Sequence, residues 1–511
     1  MLAKVNTLGL VGIEGFSVLV EADLNNGLPK FDIVGLPDTA IKESKERIRS
    51  AIKNSKYKFP MLKLTVNLAP ADIKKEGPIY DLPIAIALLI CTAEIECENI
   101  KDYTFIGELS LDGEMRKAQG VLPLLISARA LGHKKVFIPF ENEAEASFID
   151  GIEIYPVKSL QQVVEHLNNV NVLQPLQVSN FKEVQINMTE QNDFCYVKGQ
   201  ASAKRAMEIS AAGGHNLMMI GPPGAGKTML ARCMPSILPT MTFDEALEVT
   251  KIHSVAGILD SKEGIVWRRP FRSPHHTTTA VTLTGGGNKA KPGEISMAHN
   301  GVLFLDELPE YNRKTLETLR QPLEDGVITV ARLQNTVEYP AQFMLLTSMN
   351  PCPCGNYGSK IKECRCTSTQ IHKYLDKLSG PLMDRIDLHV EVDGVSFEDL
   401  RETDKLEESS ATIRERVNKA RDIQLKRFAG TKTNCNAKMT TNQVNTYCAL
   451  SQESEDLIKD AFERLNLSAR AYNRILKVAR TIADLDNSEN IELSHIAEAI
   501  GYRSLDKKYW I

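Results

Sequence analysis

One eight-residue segment constrains the fold more than any other. Residues 221–228 read G-P-P-G-A-G-K-T and match the pattern G-x-x-x-x-G-K-[ST] at every constrained position. An apolar run at 215–220 precedes the segment and a helix start at 229–234 follows it, as a phosphate-binding P-loop requires. Glycines let the backbone N–H groups turn inward around phosphate oxygens, and the positive end of the next helix points at the same anion. A glycine-rich turn that matches by chance is the alternative, and the flanking strand and helix argue against it.

The P-loop predicts a site for ATP and Mg²⁺, in which Lys227 meets the β- and γ-phosphates and Thr228 offers its hydroxyl to the metal. The residues predicted to bind nucleotide here are Gly221, Pro222, Pro223, Gly224, Ala225, Gly226, Lys227 and Thr228.

Length and composition bound the class of protein. A chain of 511 residues is long enough for about three domains, and 43% hydrophobic with 25% charged residues is ordinary for a globular protein. The net charge of −4 neither predicts nor excludes a nucleic-acid partner. No apolar run approaches the roughly 20 residues of a membrane span, and the N-terminus lacks a signal-peptide core, so we expect a cytoplasmic protein. Ten cysteines in such a chain argue against a disulfide framework.

Periodicity divides the chain into four parts. Residues 1–166 alternate β-like and helical runs, 167–193 form an aperiodic polar linker, 194–395 carry the nucleotide motifs, and 396–511 are helical. In the first part, the helical run Val121–Leu131 ends at Gly132 and a strand follows at Lys134–Pro139. In the last part, residues 408–430 predict one polar helix. Apolar residues then recur at helical spacing at Ile475, Val478, Ala479 and Ile482.

Two later strands of the central part end in polar side chains. The apolar run Gly301–Leu305 leads into Asp306 and Glu307. We expect Asp306 to hold Mg²⁺, directly or through water, and Glu307 to act as general base toward the attacking water. The alternative is an exposed strand end with incidental acids. The next strand ends in Asn350, which we expect to orient the water, although an Asn at a strand end is often only a turn former.

Three arginines are candidates for contacts to the nucleotide. Arg385 lies in G-P-L-M-D-R-I-D, and we interpret it as an arginine finger that reaches the γ-phosphate of a neighbouring subunit. A surface ion pair of little energetic weight is the alternative. Arg470 is the first candidate for a residue that senses nucleotide from the helical part, and Arg474 is the second; both could equally be helix-surface arginines.

Four cysteines cluster directly after Asn350. Nine residues separate the pair Cys352 and Cys354 from the pair Cys364 and Cys366. Four thiolates within fifteen residues suit a structural, tetrahedral Zn²⁺ site, and buried free thiols or a redox pair are the alternatives. For the neighbouring pair His275 and His276 we favour hydrogen bonding or packing over metal binding.

The order of these motifs resembles an AAA+ ATPase of the magnesium-chelatase-like branch, and specifically the ComM/YifB family. The most specific segments are Arg269–Thr277, Gly301–Pro309, Met349–Gly355 and Leu378–Asp387. The resemblance implies a fold of class α/β with a central AAA+ P-loop domain and a C-terminal helical lid. It also implies a hexameric ring that translocates single-stranded or branched DNA, as branch-migration helicases do during natural transformation.

This branch also carries two insertions that line the pore of a ring. Thr282–Lys291 resembles the first, a flexible loop with two lysines, and Ile328–Tyr339 resembles the second, a β-hairpin with Arg332 and Gln334 near its tip. Small residues with isolated cations suit phosphate contacts that do not depend on base sequence. An ordinary loop and hairpin are the alternative.

Residues 1–166 resemble the α+β proteolytic domain of Lon, which also occurs in DNA-remodelling ATPases such as RadA. The matching stretches include Lys75–Leu82 and Leu111–Glu114. The positions of Lon's nucleophilic serine and its lysine fall on Ile79 and Leu122, neither of which can do that chemistry. We therefore expect a protease-like fold without protease activity, used for DNA contact or ring assembly.

Two other classes compete with a DNA motor. One is a chelatase-like motor that remodels a protein partner. The absence of a D-x-S-x-S motif and the presence of a Lon-like domain argue against it. The other is a protease-type unfoldase, which Ile79 and Leu122 argue against.

Overall fold

A computed structural model of the chain describes residues 2–181, 192–260, 263–287, 290–331, 336–358, 362–394, 407–465, 467–505 and 509. The chain forms two compact units. The first comprises residues 1–187 and 243–267, and the second comprises residues 188–242 and 268–511.

The strands are numbered in chain order. They are β1 (Leu2–Val11), β2 (Glu14–Asn25), β3 (Lys30–Val34), β4 (Lys63–Ala69), β5 (Tyr103–Phe105), β6 (Glu108–Leu109), β7 (Met115–Arg116), β8 (Lys135–Pro139), β9 (Glu153–Val157), β10 (Leu217–Ile220), β11 (Phe271–Arg272), β12 (Gly285–Gly286), β13 (Lys291–Pro292), β14 (Val302–Leu305), β15 (Val327–Ala331), β16 (Thr336–Pro340), β17 (Met344–Met349) and β18 (Leu388–Glu391).

The α-helices are numbered in the same way. They are α1 (Thr39–Asn54), α2 (Asp81–Cys91), α3 (Val121–Ala130), α4 (Glu143–Ala146), α5 (Leu160–Leu167), α6 (Ala201–Gly213), α7 (Lys227–Ile237), α8 (Phe243–Ala256), α9 (Ala280–Thr284), α10 (Glu294–Met297), α11 (Arg313–Glu317), α12 (Arg320–Asp325), α13 (Ser368–Leu375), α14 (Gly380–Met383), α15 (Ser410–Arg427), α16 (Thr441–Tyr447), α17 (Gln452–Arg464), α18 (Ala469–Leu485) and α19 (Leu493–Gly501). None of these helices combines the length and the apolar character needed to cross a membrane.

The first unit is built on a seven-stranded mixed sheet in the order β3-β4-β2-β1-β5-β8-β9. Helix α2 is apolar on nearly all sides and is buried almost completely, as a helix in the centre of a core must be. Its first residue, Asp81, is fully buried and accepts hydrogen bonds from Arg47 Nε at 2.6 Å and Arg47 Nη2 at 3.0 Å. The helix and strand predicted around Gly132 are confirmed as α3 and β8.

The second unit is built on a five-stranded sheet in the order β11-β14-β17-β10-β18, and all neighbouring strands are parallel. β10, β14 and β17 are buried along their whole length, which explains why they appear in the sequence as unbroken apolar runs. The carboxyl ends of parallel strands meet at one edge of a sheet, where α/β proteins bind ligands. The P-loop, the two acids and Asn350 all follow these ends.

The C-terminal helices share one hydrophobic core with this sheet. The predicted apolar face of α18 is confirmed, because Ile475, Val478, Ala479 and Ile482 are all buried. The predicted polar helix is α15, which buries only a narrow side that includes Ile413 and Val417.

Residues 243–267 leave the second unit and pack with the first. Leu247 of α8 packs against the hydrophobic core of the first unit. Ser254 Oγ donates a hydrogen bond of 2.8 Å to Glu145 Oε2, and Asn142 Nδ2 donates one of 2.6 Å to Glu145 Oε1. By their contacts, residues 243–267, which lie inside the span 194–395 predicted for the central domain, thus group with the first unit, and the predicted domain boundaries stay a prediction.

The predicted linker, 167–193, begins where α5 ends. Leu173 and Leu176 then pack against the core of the first unit, and Leu176 N donates a hydrogen bond of 2.8 Å to Ile154 O. The first part of this stretch is therefore attached to the first unit, and residues 182–191 lie outside the described residues.

Candidate nucleotide site

The P-loop joins β10 to α7 and needs its glycines for two different reasons. Gly224 and Gly226 adopt φ angles of 80° and 85°, which residues with a side chain rarely adopt. At Gly221 a Cβ atom would lie 2.2 Å from the carbonyl oxygen of Val392, so the close approach of two backbones excludes any side chain. The sequence predicts the need for glycine, but not the contact that imposes it at Gly221.

The loop borders a cavity of about 360 Å³. The lining residues are Pro223, Gly224, Ala225, Gly226, Lys227, Thr228, Met229, Asp306, Glu307, Ser348, Met349 and Asn350. The cavity brings together the P-loop side chains, the two acids and the amide that the sequence placed in one site.

Lys227 is the buried cation of this cavity. Its Nζ donates hydrogen bonds to Gly221 O at 2.7 Å, Pro222 O at 2.9 Å and Asn350 Oδ1 at 3.2 Å. Burial lowers the pKa of Lys227, and the negative charges of Asp306 and Glu307 oppose that shift. The ammonium group is thus held by neutral acceptors that phosphate oxygens can replace.

Thr228 and Asp306 form a set of hard oxygen donors. Thr228 Oγ1 donates a hydrogen bond of 2.8 Å to Asp306 Oδ2, and Ser348 Oγ donates one to Asp306 Oδ1. Hydroxyl and carboxylate oxygens are the ligands that Mg²⁺ prefers, so these residues fit the metal. Sequence reasoning missed Ser348; the available signal was a polar Thr-Ser pair inside an otherwise apolar strand.

Glu307 lines the cavity beside Asp306 and has a positive φ of 53°. Its carboxylate lies 3.5 Å from His276 Nδ1. The two adjacent imidazoles, His275 and His276, have ring centroids 4.0 Å apart, and Tyr311 lies edge-on to His276 at 6.5 Å. The hydrogen bonding or packing expected for the histidine pair is found. His276 is the member of the pair that contacts Glu307, the predicted general base.

His276→Ala is expected to lower kcat for ATP hydrolysis about fivefold and to leave KM for ATP within twofold. The change removes a neighbour that orients Glu307 but touches no P-loop residue, and one modest interaction corresponds to about 1 kcal/mol. Steady-state kinetics measure both constants. His275→Ala is the matched control, since His275 instead contacts Thr277 Oγ1 at 2.9 Å. An unchanged kcat in His276→Ala, or an equal loss in both variants, would remove the orienting role.

The three candidate arginines lie outside the cavity lining. Arg385 is buried, and its guanidinium donates to Pro381 O at 2.6 Å and to the Glu324 carboxylate. Arg474 donates to Asp387 Oδ1 at 2.5 Å. Burial opposes ionisation of Asp387, but Arg474 and His215 outweigh it and hold the pKa of Asp387 well below its usual range. Arg474 is therefore engaged within the chain, whereas Arg470 is exposed.

The four clustered thiols converge as predicted. The Sγ atoms of Cys352, Cys354 and Cys364 lie 3.3 to 3.7 Å apart, and all four Sγ atoms, including that of Cys366, lie within 4.8 Å of one another. Four thiolates around one Zn²⁺ at about 2.3 Å would be about 3.8 Å apart. The donor set and its spacing therefore fit a tetrahedral metal ion.

Ile79 and Leu122, where the sequence predicts the positions of Lon's nucleophile and lysine, lie in the first unit. Both are buried members of its hydrophobic core. They pack against other side chains of that core and offer no reactive group.

Three family profiles match the chain. Magnesium chelatase, subunit ChlI, matches residues 193–400; subunit ChlI of Mg-chelatase matches 20–142; and the ChlI C-terminal profile matches 407–503. Shorter similarities are found to Lon protease 2 of Bacillus subtilis, 32% identical over 25% of this chain and 22% of that protein, and to the DNA repair protein RadA of Aquifex aeolicus, 39% identical over 20% and 22%. The fold, the P-loop site and these matches define a magnesium-chelatase-like AAA+ protein with a Lon-like N-terminal region.

Several relatives match over nearly their full length, and two of them serve as examples. The competence protein ComM of Haemophilus influenzae and the protein YifB of Escherichia coli are each 42% identical over 507 residues, which cover 99% of this chain and 98% of each relative. The chain belongs to the ComM/YifB family.

Proposed function

We propose that this protein is an ATP-hydrolysing motor that moves DNA strands, as a branch-migration helicase in recombination or natural transformation. One full-length relative is named a competence protein, and the partial relative RadA is named a DNA repair protein. The proposal has three parts: the chemistry at the cavity, the ring that completes the site, and the surface that contacts DNA.

The cavity has a group for each step of ATP hydrolysis. Lys227 contacts the β- and γ-phosphates, and Thr228 and Asp306 hold Mg²⁺, which neutralises phosphate charge when bound. Glu307 takes a proton from the attacking water, and Asn350, held by Lys227, positions that water.

In this proposal the nucleotide site is complete only when several copies of the chain assemble into a ring. Arg385 does not line the cavity of its own chain, and Glu324 holds it. In a homo-hexamer it would exchange Glu324 for the γ-phosphate of the neighbouring subunit. The hydrogen bond and charge of Arg385 lower the pKa of Glu324, and the charge of Arg470 adds to that shift. Arg470 is exposed and is the better candidate for sensing nucleotide.

The proposal that this protein contacts DNA is supported mainly by one observation: the two predicted insertions lie in contact with each other. β12 pairs antiparallel with β13 at the first insertion, and β15 pairs antiparallel with β16 at the second. Tyr339 Oη, buried at the base of the second, donates a hydrogen bond of 2.7 Å to Ala290 O of the first. Asn288, Lys289, Arg332 and Gln334 lie outside the described residues. The first hairpin follows His276 closely in the chain, and His276 contacts Glu307, the proposed general base. One segment therefore carries a contact to that base and the proposed DNA surface.

We also propose that the four cysteines hold a structural Zn²⁺, because all four Sγ atoms lie close enough to share one ion. Cys352, two residues after Asn350, is completely buried, so the metal would lie beside the nucleotide cavity.

The proposed function is tested by ATP turnover with and without single-stranded or branched DNA. Lys291→Ala is expected to reduce DNA stimulation several-fold and to leave turnover without DNA unchanged, because Lys291 is exposed on the hairpin and away from the cavity. Each lost phosphate contact should also lower the slope of log affinity against log salt concentration by about 0.7. Lys432→Ala, an exposed lysine among the C-terminal helices, is the control. Stimulation that is equal in both variants would contradict the assignment of this hairpin.

A motor that remodels a protein partner, as a chelatase-like subunit would, is the second candidate, and the chelatase profiles favour it. The same assay separates the two. If DNA neither binds nor stimulates turnover, the protein-remodelling function replaces the DNA function.

A further inference from the structure

The segment that carries the four cysteines touches the P-loop directly. We call residues 352–366 the thiol knuckle. Its Gly355 has a φ of 78°, and a Cβ atom there would lie 2.4 Å from Pro223 Cδ and 2.8 Å from Pro223 Cγ. Backbone conformation and contact both require glycine, so the knuckle lies closely against a residue that lines the nucleotide cavity.

The first residues of the thiol knuckle are held in place close to Asn350. Gly355 N donates a hydrogen bond of 2.9 Å to Cys352 O, and Tyr357 N donates one of 3.3 Å to Cys352 Sγ. Cys352 is completely buried. The chain therefore turns around the Cys352 thiol, and this turn places Gly355 against Pro223.

A second set of contacts connects the thiol knuckle to the start of the P-loop. Tyr357 lies edge-on to Tyr509, with ring centroids 6.3 Å apart, and Tyr509 Oη donates a hydrogen bond of 2.7 Å to Glu391 Oε1. The next residue is Val392, whose carbonyl oxygen closely approaches Gly221. The knuckle thus touches the P-loop at Pro223 and is connected to Gly221 only indirectly, through Tyr509 and residues 391–392.

We infer that the thiol knuckle is a metal-dependent support of the P-loop: Zn²⁺ bound by its four cysteines fixes Gly355 against Pro223, and loss of the ion weakens nucleotide binding without unfolding the second unit. The described part of the knuckle contains no helix or strand, and the contacts that hold its first residues involve Cys352, Gly355 and Tyr357. An ion shared by the four thiolates would tie the second cysteine pair to the first. The inference rests on the proposed nucleotide binding, and it assigns that site a dependence on metal content.

The test measures zinc content and the equilibrium affinity for a fluorescent ATP analogue on the full-length protein. We expect one zinc per chain in wild type. Cys364→Ser should lose the zinc and weaken analogue binding at least tenfold, with an unchanged far-UV circular dichroism spectrum. Cys97→Ser, which changes a thiol of the first unit, should alter neither quantity.

Two further measurements keep the result interpretable if Cys364→Ser does not fold. Zinc extraction from folded wild type should weaken binding, and adding zinc back should restore it. Gly355→Ala should keep zinc and still weaken binding several-fold, because the added Cβ displaces Pro223. Wild type purified without chelator that holds no zinc, or binding that is unaffected by zinc loss, would overturn the inference. Failure of the zinc-loaded wild type to bind any nucleotide would instead overturn the proposed function.

Discussion

Glu307→Gln is expected to lower kcat for ATP hydrolysis at least 100-fold and to change the affinity for ATP by no more than about threefold. A general base contributes roughly 10²- to 10⁴-fold to such reactions, and an amide of the same shape cannot accept the proton. Binding should persist because the cation at the phosphates, Lys227, is unchanged and its hydrogen bonds go to the P-loop and Asn350.

Single-turnover hydrolysis and equilibrium nucleotide binding measure these two quantities separately. Glu310→Gln is the matched control: Glu310 follows three residues later and lies 3.5 Å from Lys377 Nζ, outside the nucleotide cavity. It should hydrolyse ATP like wild type. More than a tenth of wild-type kcat remaining in Glu307→Gln would mean that another group activates the water.

Lys227→Ala is expected to weaken ATP binding about 30- to 100-fold. Removing a buried ammonium deletes a charge-assisted contact to the phosphates, and such contacts contribute about 2 to 3 kcal/mol. The change also frees Asn350 Oδ1 from its 3.2 Å hydrogen bond, so kcat measured at saturating ATP should fall as well.

Calorimetry or anisotropy with a nucleotide analogue measures the loss, and Lys432→Ala serves as the lysine control. Thermal unfolding without nucleotide should show no large loss of stability, because burial already lowers the pKa of Lys227 and its contacts are to neutral acceptors. Nucleotide affinity equal to wild type would place the phosphates elsewhere.

The parts of the site that follow strand ends could be predicted from the sequence. Asp306, Glu307 and Asn350 each follow an apolar run, and the parallel order of the sheet brings those ends together at the P-loop. Lys227 and Thr228 have a fixed spacing from the loop glycines, so local pattern alone places them.

The contacts that depend on folding in three dimensions could not be predicted. Ser348 donates a hydrogen bond to Asp306 only because β17 lies beside β14 in the sheet. His276 follows β11 and Glu307 follows β14, and the two side chains meet only because these strands are also neighbours. The proximity of Gly355 to Pro223 joins residues more than 130 positions apart. The spacing of residues along the sequence does not predict contacts of this kind.

The placement of residues 243–267 had no sequence signal either. Leu247 is an apolar helical residue that would suit a core in either unit, and its side chain packs in the first. The buried Glu145 and its partner Ser254 also lie in separate segments, and only the fold brings them together.

ATP-dependent branch migration of a synthetic four-way DNA junction tests the central claim most directly. The wild-type protein with ATP and Mg²⁺ should convert labelled junctions into duplex products, and Glu307→Gln should bind the junction without converting it. A wild-type protein that hydrolyses ATP but leaves the junction intact, with no stimulation by any DNA, would contradict the account.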